Sequence, residues 1–405
     1  MDSDSSDDDY MMVRKRLRTR PSAEAYVATA NRYSLDFDFE KVCSVTLSNQ
    51  NVYACLVCGK YLQGRGKGTP AYTHSMEHNH HIFIHLSDAS FWCVPDNCEV
   101  TDKTLEDIKS NLFPTFSDPT TLQLPMSALS LTGSEFFPGL VGLNQIKEDS
   151  YLNAVVHSLC AVVPLRNHFL LLKRAENELA VAFAELMRKI CNPQSFKGIT
   201  SPHEFLQQVG LSSKNEFFAS SSDPFKFLEW LLPSLGESVI RKTFQGLAQS
   251  GPFMHLSLDL PVMPVFKSEK EFIPTTALSD LLAQRFHEDK ITKMPEFMIV
   301  HFKRFVMNNF FLEKNSTIVR FPLTGLDLAP LSASSDASSG TYSLVSTVCH
   351  EGKPEGGNYK AYVLHPVSNQ WFECDALRVK KIIPQSVAVV ESYIQIWRLD
   401  QPLSH

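Results

Sequence analysis

The chain has 405 residues, is 43% hydrophobic and 11% aromatic, with 28 Phe, and carries a net charge of −6. At roughly 150 residues per domain this gives two or three domains with ample core, which excludes a wholly disordered chain, and 17 Gly with 23 Pro exclude a collagen-like or low-complexity one. The charge argues against a globally basic nucleic-acid binder, no apolar run reaches the ~18 residues of a membrane span, and nine Cys are too few for a disulfide framework and suit a reducing compartment.

Residues 1–30 read as a disordered charged arm. Asp2, Asp4, Asp7, Asp8 and Asp9 form an acidic block, and Arg14, Lys15, Arg16, Arg18 and Arg20 a basic one. Opposite charge blocks without apolar periodicity stay solvated. The basic block has the make-up of a nuclear import signal or an RNA contact, and the lack of an apolar stretch rules out a secretory signal.

Residues 31–105 concentrate Cys43, Cys55, Cys58, Cys93, Cys98 and five of the 14 His. Cys55 and Cys58 form a Cys-x2-Cys knuckle, which can hold one tetrahedral ion from a single turn. Two more ligands are needed, and His74, His78, His80 and His81 are on offer. On a helix His74 and His78 would share a face, whereas a break before the strand-like HIFIHL would turn His80 back instead. The spacing leaves that choice open. Two thiolates with a His cluster about 16 residues further on point to zinc, and four protein ligands would make the ion structural.

Residues 106–138, with Pro114, Pro119, Pro125 and Pro138, read as a connector. In residues 139–400, VVHSLCAVVPL and ELAVAFAELMRKICN have helical spacing. FMHLSLDLPV, EFMIVHFKRFV, STIVRFPL, YSLVSTVCHEG, YKAYVLHP and SYIQIWRL are β-branched and aromatic runs that predict strands. Helices followed by strands indicate an α+β domain, and there is no internal repeat. Lys303 and Arg304 read as a solvated strand edge, and Ser332–Gly340 as a loop.

The knuckle segment resembles the ubiquitin-protease-type zinc finger, on ACLVCGKYLQGRG, His74, His80 and FWCVPDNC. The resemblance implies one structural zinc ion held by Cys55, Cys58, His74 and His80. Val45 stands where further zinc sites of that family have His, and Asp96 where they have a second Cys, so no second ion is implied. Arg65 and Trp92 match positions that hold the free C-terminal tail of ubiquitin in binding members. Val94 and Glu99 replace tyrosines there, and Glu99 would repel a carboxylate, so ubiquitin binding is expected to be weak or absent.

The stretch Gly142–Asn153 resembles the Cys box of ubiquitin-specific proteases, G-L-x-N-x-G-N-T-C-Y-x-N. Asp223–Leu232, Leu256–Pro261, Pro295–Phe305 and Val319–Pro322 are similar to further strings of that family, so the resemblance spans nearly all of 139–398 and implies a papain-like fold. The chemistry of such enzymes needs a thiolate, a His base and an orienting group. Those positions here hold Ser150, Asn358 and Asp375, and Gln145 takes the place of the oxyanion Asn. An amide takes no proton near pH 7, and Ser without a base is a poor nucleophile, so a pseudoprotease without catalytic residues is implied. His350 and His157 read as packing residues and Cys160 as core. Only six residues, none of them Cys, separate Gly246 from Phe253, so the finger region is shortened and metal-free.

The strings Leu35–Lys41, Ala54–Tyr61, Asn308–Phe311, Glu313–Asn315 and Tyr393–Trp397 narrow the resemblance to an inactive branch of the family in the spliceosomal tri-snRNP. This implies a nuclear scaffold in pre-mRNA splicing that supports tri-snRNP maintenance or recruitment to the spliceosome. Its implied partners are tri-snRNP proteins, with small nuclear RNA a further candidate and no membrane. The alternative is a ubiquitin-binding adaptor without hydrolase activity.

Overall fold

A computed structural model of the chain describes residues 23–116, 122–174, 177–218, 223–261, 273–307, 312–333, 340–354 and 356–400. The two charge blocks before residue 21, the string Asn308–Phe311 and the middle of the Ser-rich loop lie outside the described residues. Two compact units form: one from the residues up to Asp36 with Lys41–Leu112, the other from Phe37–Glu40 with Phe113 onward.

The first unit is a five-stranded antiparallel sheet with helices beside it. Its strands are β1 (Val52–Cys55), β2 (Tyr61–Gln63), β3 (Ile82–His85), β4 (Phe91–Cys93) and β5 (Cys98–Val100), in the order β2-β1-β3-β4-β5. Its helices are α1 (Ala23–Val27), α2 (Pro70–His78) and α3 (Glu106–Leu112). Pro70 opens α2, where its fixed φ and missing N–H cost nothing. Tyr53, Leu62, Ala71, Phe83 and Val94 fill the core. Residues 23–30, expected to belong to the solvated arm, are part of this unit: Val27 is buried and the Tyr26 ring meets His81 edge-on at 4.6 Å. The apolar positions of a short segment override its charged neighbourhood. The expected connector is likewise divided. Ile108 and Leu112 bury α3 in the first unit, and Phe113 onward belongs to the second.

In the second unit, helices α4 (Ser150–Cys160), α5 (Val163–Leu171) and α6 (Glu178–Cys191) precede the strands of the main sheet. The unit's strands include β6 (Gly246–Ala248), β7 (Gly251–Phe253), β8 (Leu256–Leu258), β9 (Ile291–Lys293), β10 (Phe297–Phe302), β11 (Thr341–Lys353), β12 (Gly356–His365), β13 (Gln370–Asp375), β14 (Arg378–Ile382) and β15 (Ser392–Leu399). The main sheet runs β8-β10-β15-β11-β12-β13-β14, parallel only between β8 and β10, with the short strand Leu326–Asp327 also paired to β11. Strands β6, β7 and β9 form a separate small sheet in the place of the finger region. All of α4 is buried, and it packs on β12. Val155, Leu159, Phe183, Phe227, Val348, Val363 and Phe372 fill one side of the sheet, and Met298, Val300, Tyr342, Trp371 and Trp397 the other. Burial on both faces explains why these strands read as continuous apolar runs. Among the described residues no single helix is long and apolar enough to cross a membrane.

Two predicted elements are interrupted. The helical run 155–165 breaks between α4 and α5 with a 94° bend, because Pro164 lacks the N–H that would continue the first helix. The run 296–306 leaves the sheet at Phe302, because Arg304 turns inward and is fully buried. Its Nε donates to the Ser392 carbonyl (2.6 Å) and its Nη1 to the Asn315 and Thr317 carbonyls (2.9 Å each). Arg304 is therefore a core staple, not a solvated edge, while Lys303 does sit at the surface, 3.0 Å from Asp259.

Burial also sets an acid limit. Desolvation lowers His157 to about 4, His301 to about 3 and His350 to about 4, the last two with smaller contributions from neighbouring cations. A histidine held neutral in the folded state contributes fully above its unfolded value near 6.5 and loses that contribution as pH falls toward the folded value. The free energy of unfolding, read from urea titrations, is expected to fall steeply between pH 6.5 and 4, by on the order of 2–3 kcal/mol per group. His157→Phe should flatten part of that slope; an unchanged slope would exclude His157 as a cause.

Candidate metal centre and degenerate catalytic site

In the first unit the knuckle after β1 turns on Gly59, at φ +77°, whose N–H donates to the Cys55 carbonyl (2.8 Å). A Cβ there would lie 2.1 Å from the Ser34 carbonyl oxygen, so only glycine fits. Helix α2 places His74 in the protein, and Asn79, in the left-handed conformation at φ 58°, ends the helix and swings His80 back. One ligand atom from each of Cys55, Cys58, His74 and His80 lies within 4.8 Å of the other three. Cys55 Sγ is 3.6 Å from His80 Nδ1, Cys58 Sγ 3.4 Å from His74 Nε2, and the two nitrogens are 3.1 Å apart. A tetrahedral ion with Zn–S of about 2.3 Å and Zn–N of about 2.0 Å has S···N edges near 3.5 Å, so this donor set fits zinc. His78 is exposed, and His81 is engaged by Ser75 (2.8 Å) and Asn79 (2.7 Å). Cys43, Cys93 and Cys98 are not part of the group.

On the same unit the Arg65 guanidinium lies 3.3 Å over the centre of the Trp92 ring, and Glu99 stands directly opposite Trp92 in register. Val94 is buried.

In the second unit three elements bring together the positions picked out by the resemblance. Ser150 opens α4, Asn358 lies on β12, and Asp375 ends β13. Asn358 Nδ2 donates to Asp375 Oδ1 (2.9 Å), and Ser150 Oγ accepts the Tyr359 N–H (3.1 Å). Where a catalytic base would carry a lone pair toward the nucleophile, this site has a carboxamide whose nitrogen is already a donor. Gln145 is exposed. His350 is 3% exposed, packed edge-on against Phe305 and beside Tyr359, and its Nε2 would be 2.1 Å from a Cβ on Gly357. Cys160 is buried beside Cys191, with the two sulfurs 3.9 Å apart.

Lys360 is a member of this site that the sequence motifs did not single out. Its Nζ lies 2.8 Å from Glu351 Oε2, 3.3 Å from Asp375 Oδ2 and 3.9 Å from Glu373 Oε1. The available signal was strand periodicity, since residue 360 falls on the same face as 358. Burial opposes its charge, but Glu351 and Asp375 outweigh that and raise its pKa. The raised pKa means the contribution is complete at neutral pH and is lost only as pH climbs through a value above 10.5. Lys360→Met leaves three carboxylates facing one another and is expected to cost about 2–3 kcal/mol at pH 7, read as a shift of the urea midpoint.

Residues 141–397 match the family described as ubiquitin carboxyl-terminal hydrolase, and 43–105 the Zn-finger in ubiquitin-hydrolases and other proteins. The chain is 39% identical over 92% of its length to ubiquitin carboxyl-terminal hydrolase 39 of Homo sapiens, covering 79% of that protein. It is 35% identical over 93% of its length to the probable mRNA-splicing protein ubp10 of Schizosaccharomyces pombe, covering 88% of it. It is 27% identical over 95% of its length to the pre-mRNA-splicing factor SAD1 of Saccharomyces cerevisiae, covering 95% of it. A crystal structure of an essential yeast splicing factor superposes with a TM-score of 0.83 at 28% identity, covering 93% of this chain and 100% of that one. The ubiquitin-bound SAGA deubiquitinating module shares the fold, with a TM-score of 0.55 at 16% identity, covering 94% and 95%.

Proposed function

The chain belongs to the ubiquitin carboxyl-terminal hydrolase family, and from that premise we propose that it is a catalytically silent member acting as a scaffold in pre-mRNA splicing. It works in the nucleus, on the tri-snRNP, supporting that particle's maintenance or its recruitment to the spliceosome. The observation that carries the loss of catalysis is the amide at position 358, hydrogen-bonded to Asp375 where a base would be. The splicing role is supported by relatives that match over nearly the whole chain and are named as splicing proteins. One zinc ion, bound by Cys55, Cys58, His74 and His80, holds the first unit together, and the guanidinium over Trp92 weighs against a ubiquitin-tail adaptor.

The test is depletion and add-back in a splicing extract. Removing the protein is expected to stall splicing before the first cleavage, and both wild-type protein and the Ser150→Ala variant should restore it equally. Restoration by wild type alone would contradict the scaffold reading.

A further inference from the structure

We propose that the outer edge of β14 docks an acidic, extended segment of a partner protein, which joins the main sheet as an added strand. Strand β14 ends the sheet order and is paired on one side only, to β13. The turn before it is covered, because the Leu143 N–H donates to the Ala376 carbonyl (2.9 Å). From Arg378 to Ile382 the outer edge forms no backbone hydrogen bond with any other strand among the described residues.

The charges along this edge are unbalanced. Arg378, Lys380 and Lys381 are exposed. Arg378 stands opposite Asp375 and Lys380 opposite Glu373 in the register, an arrangement that ordinarily gives cross-strand ion pairs. Instead Lys360 reaches both carboxylates from the other side, at 3.3 and 3.9 Å. Among the described residues no carboxylate lies within ion-pair distance of Arg378, Lys380 or Lys381. Three unpaired cations beside a row of free N–H and C=O groups, on a chain of net charge −6, complement an acidic strand. The same field repels basic strands, and the cost of burying unpaired charges disfavours neutral ones, the usual task of lysine on a sheet edge. Exposed Leu377 (50%) and Ile383 (63%) flank the cations. They favour a peptide with apolar residues at both ends over a nucleic-acid backbone, which has nothing apolar to set against them.

This inference deepens the scaffold reading by naming one of its contact surfaces, and a test on purified components keeps its failure separate from any failure of the splicing role. The probe is a labelled peptide of alternating Glu and Val with Ile at each end, titrated into the full chain. Saturable binding is expected, weakened about tenfold or more by combined Arg378→Glu, Lys380→Glu and Lys381→Glu; the melting temperature checks that this variant stays folded. A peptide of equal charge with Pro at alternate positions, unable to donate to a strand edge, should bind about fivefold more weakly. Hydrogen exchange should slow at residues 378–382 when the peptide is added. No binding of the alternating peptide, equal binding of the Pro peptide, indifference to charge reversal, or oligouridine occupying this edge in its place would each overturn the proposal.

Discussion

A ubiquitin–fluorophore conjugate incubated with the full chain is expected to be cleaved no faster than in buffer, about 10⁶-fold slower than by a relative with an intact triad, since loss of nucleophile or base alone costs that much in a serine protease. The reason is local. Ser150 Oγ accepts a hydrogen bond from the Tyr359 N–H, and among the described residues it has no side-chain hydrogen-bond partner that could take its proton. The Asn358 carboxamide donates one of its N–H groups to Asp375 and has no basic nitrogen to offer. The other oxygen of Asp375 faces Lys360, so even the orienting carboxylate is committed to a fixed cation. Ser150→Cys alone should therefore leave hydrolysis at background. Cleavage by wild-type protein that disappears in Ser150→Ala would show that an unrecognised base serves this serine, and would end the reading of an inert site.

Removal of zinc is expected to unfold the first unit. Structural zinc contributes an apparent 10–16 kcal/mol in small fingers at pH 7, as much as or more than the ~5–15 kcal/mol that holds a whole domain. Cys58→Ser or His74→Ala should reduce bound metal from one ion per chain to a small fraction, measured by atomic absorption. Hydrogen exchange should then rise across β1–β5 and stay unchanged in β10–β15. The pH dependence has a definite sign. Burial pushes the Cys55 thiol up to about 12 and His74 down to about 4 when no cation is present. Metal binding must deprotonate the thiols, so protons are released on loading and zinc is lost as pH falls. Full zinc content in Cys58→Ser would rule out this ligand set.

The legibility of the molecule follows the range of its interactions. Sequence by itself determined the α+β class, because apolar spacing in α4 and α6 and β-branched runs in β10, β11, β12 and β15 are local properties of the chain. It also determined the zinc donors as a short list, because a Cys-x2-Cys turn and a nearby His cluster are local too. Spacing alone left four histidines open, and the resemblance narrowed them to His74 and His80; the left-handed Asn79 and the hydrogen bonds of His81 agree with that pair. Sequence did not reveal Arg304, whose charge predicts the surface but whose three carbonyl partners lie on other segments. Lys360 is the sharpest case. Its meaning depends on Glu351, Glu373 and Asp375 arriving from two neighbouring strands, and the cationic edge of β14 depends in turn on Lys360 having claimed those acids. Local residue patterns record propensity and donor type. Which charges meet, and which are left over, is decided only when the strands pair, because ion pairs act over a few ångströms between residues far apart in the chain.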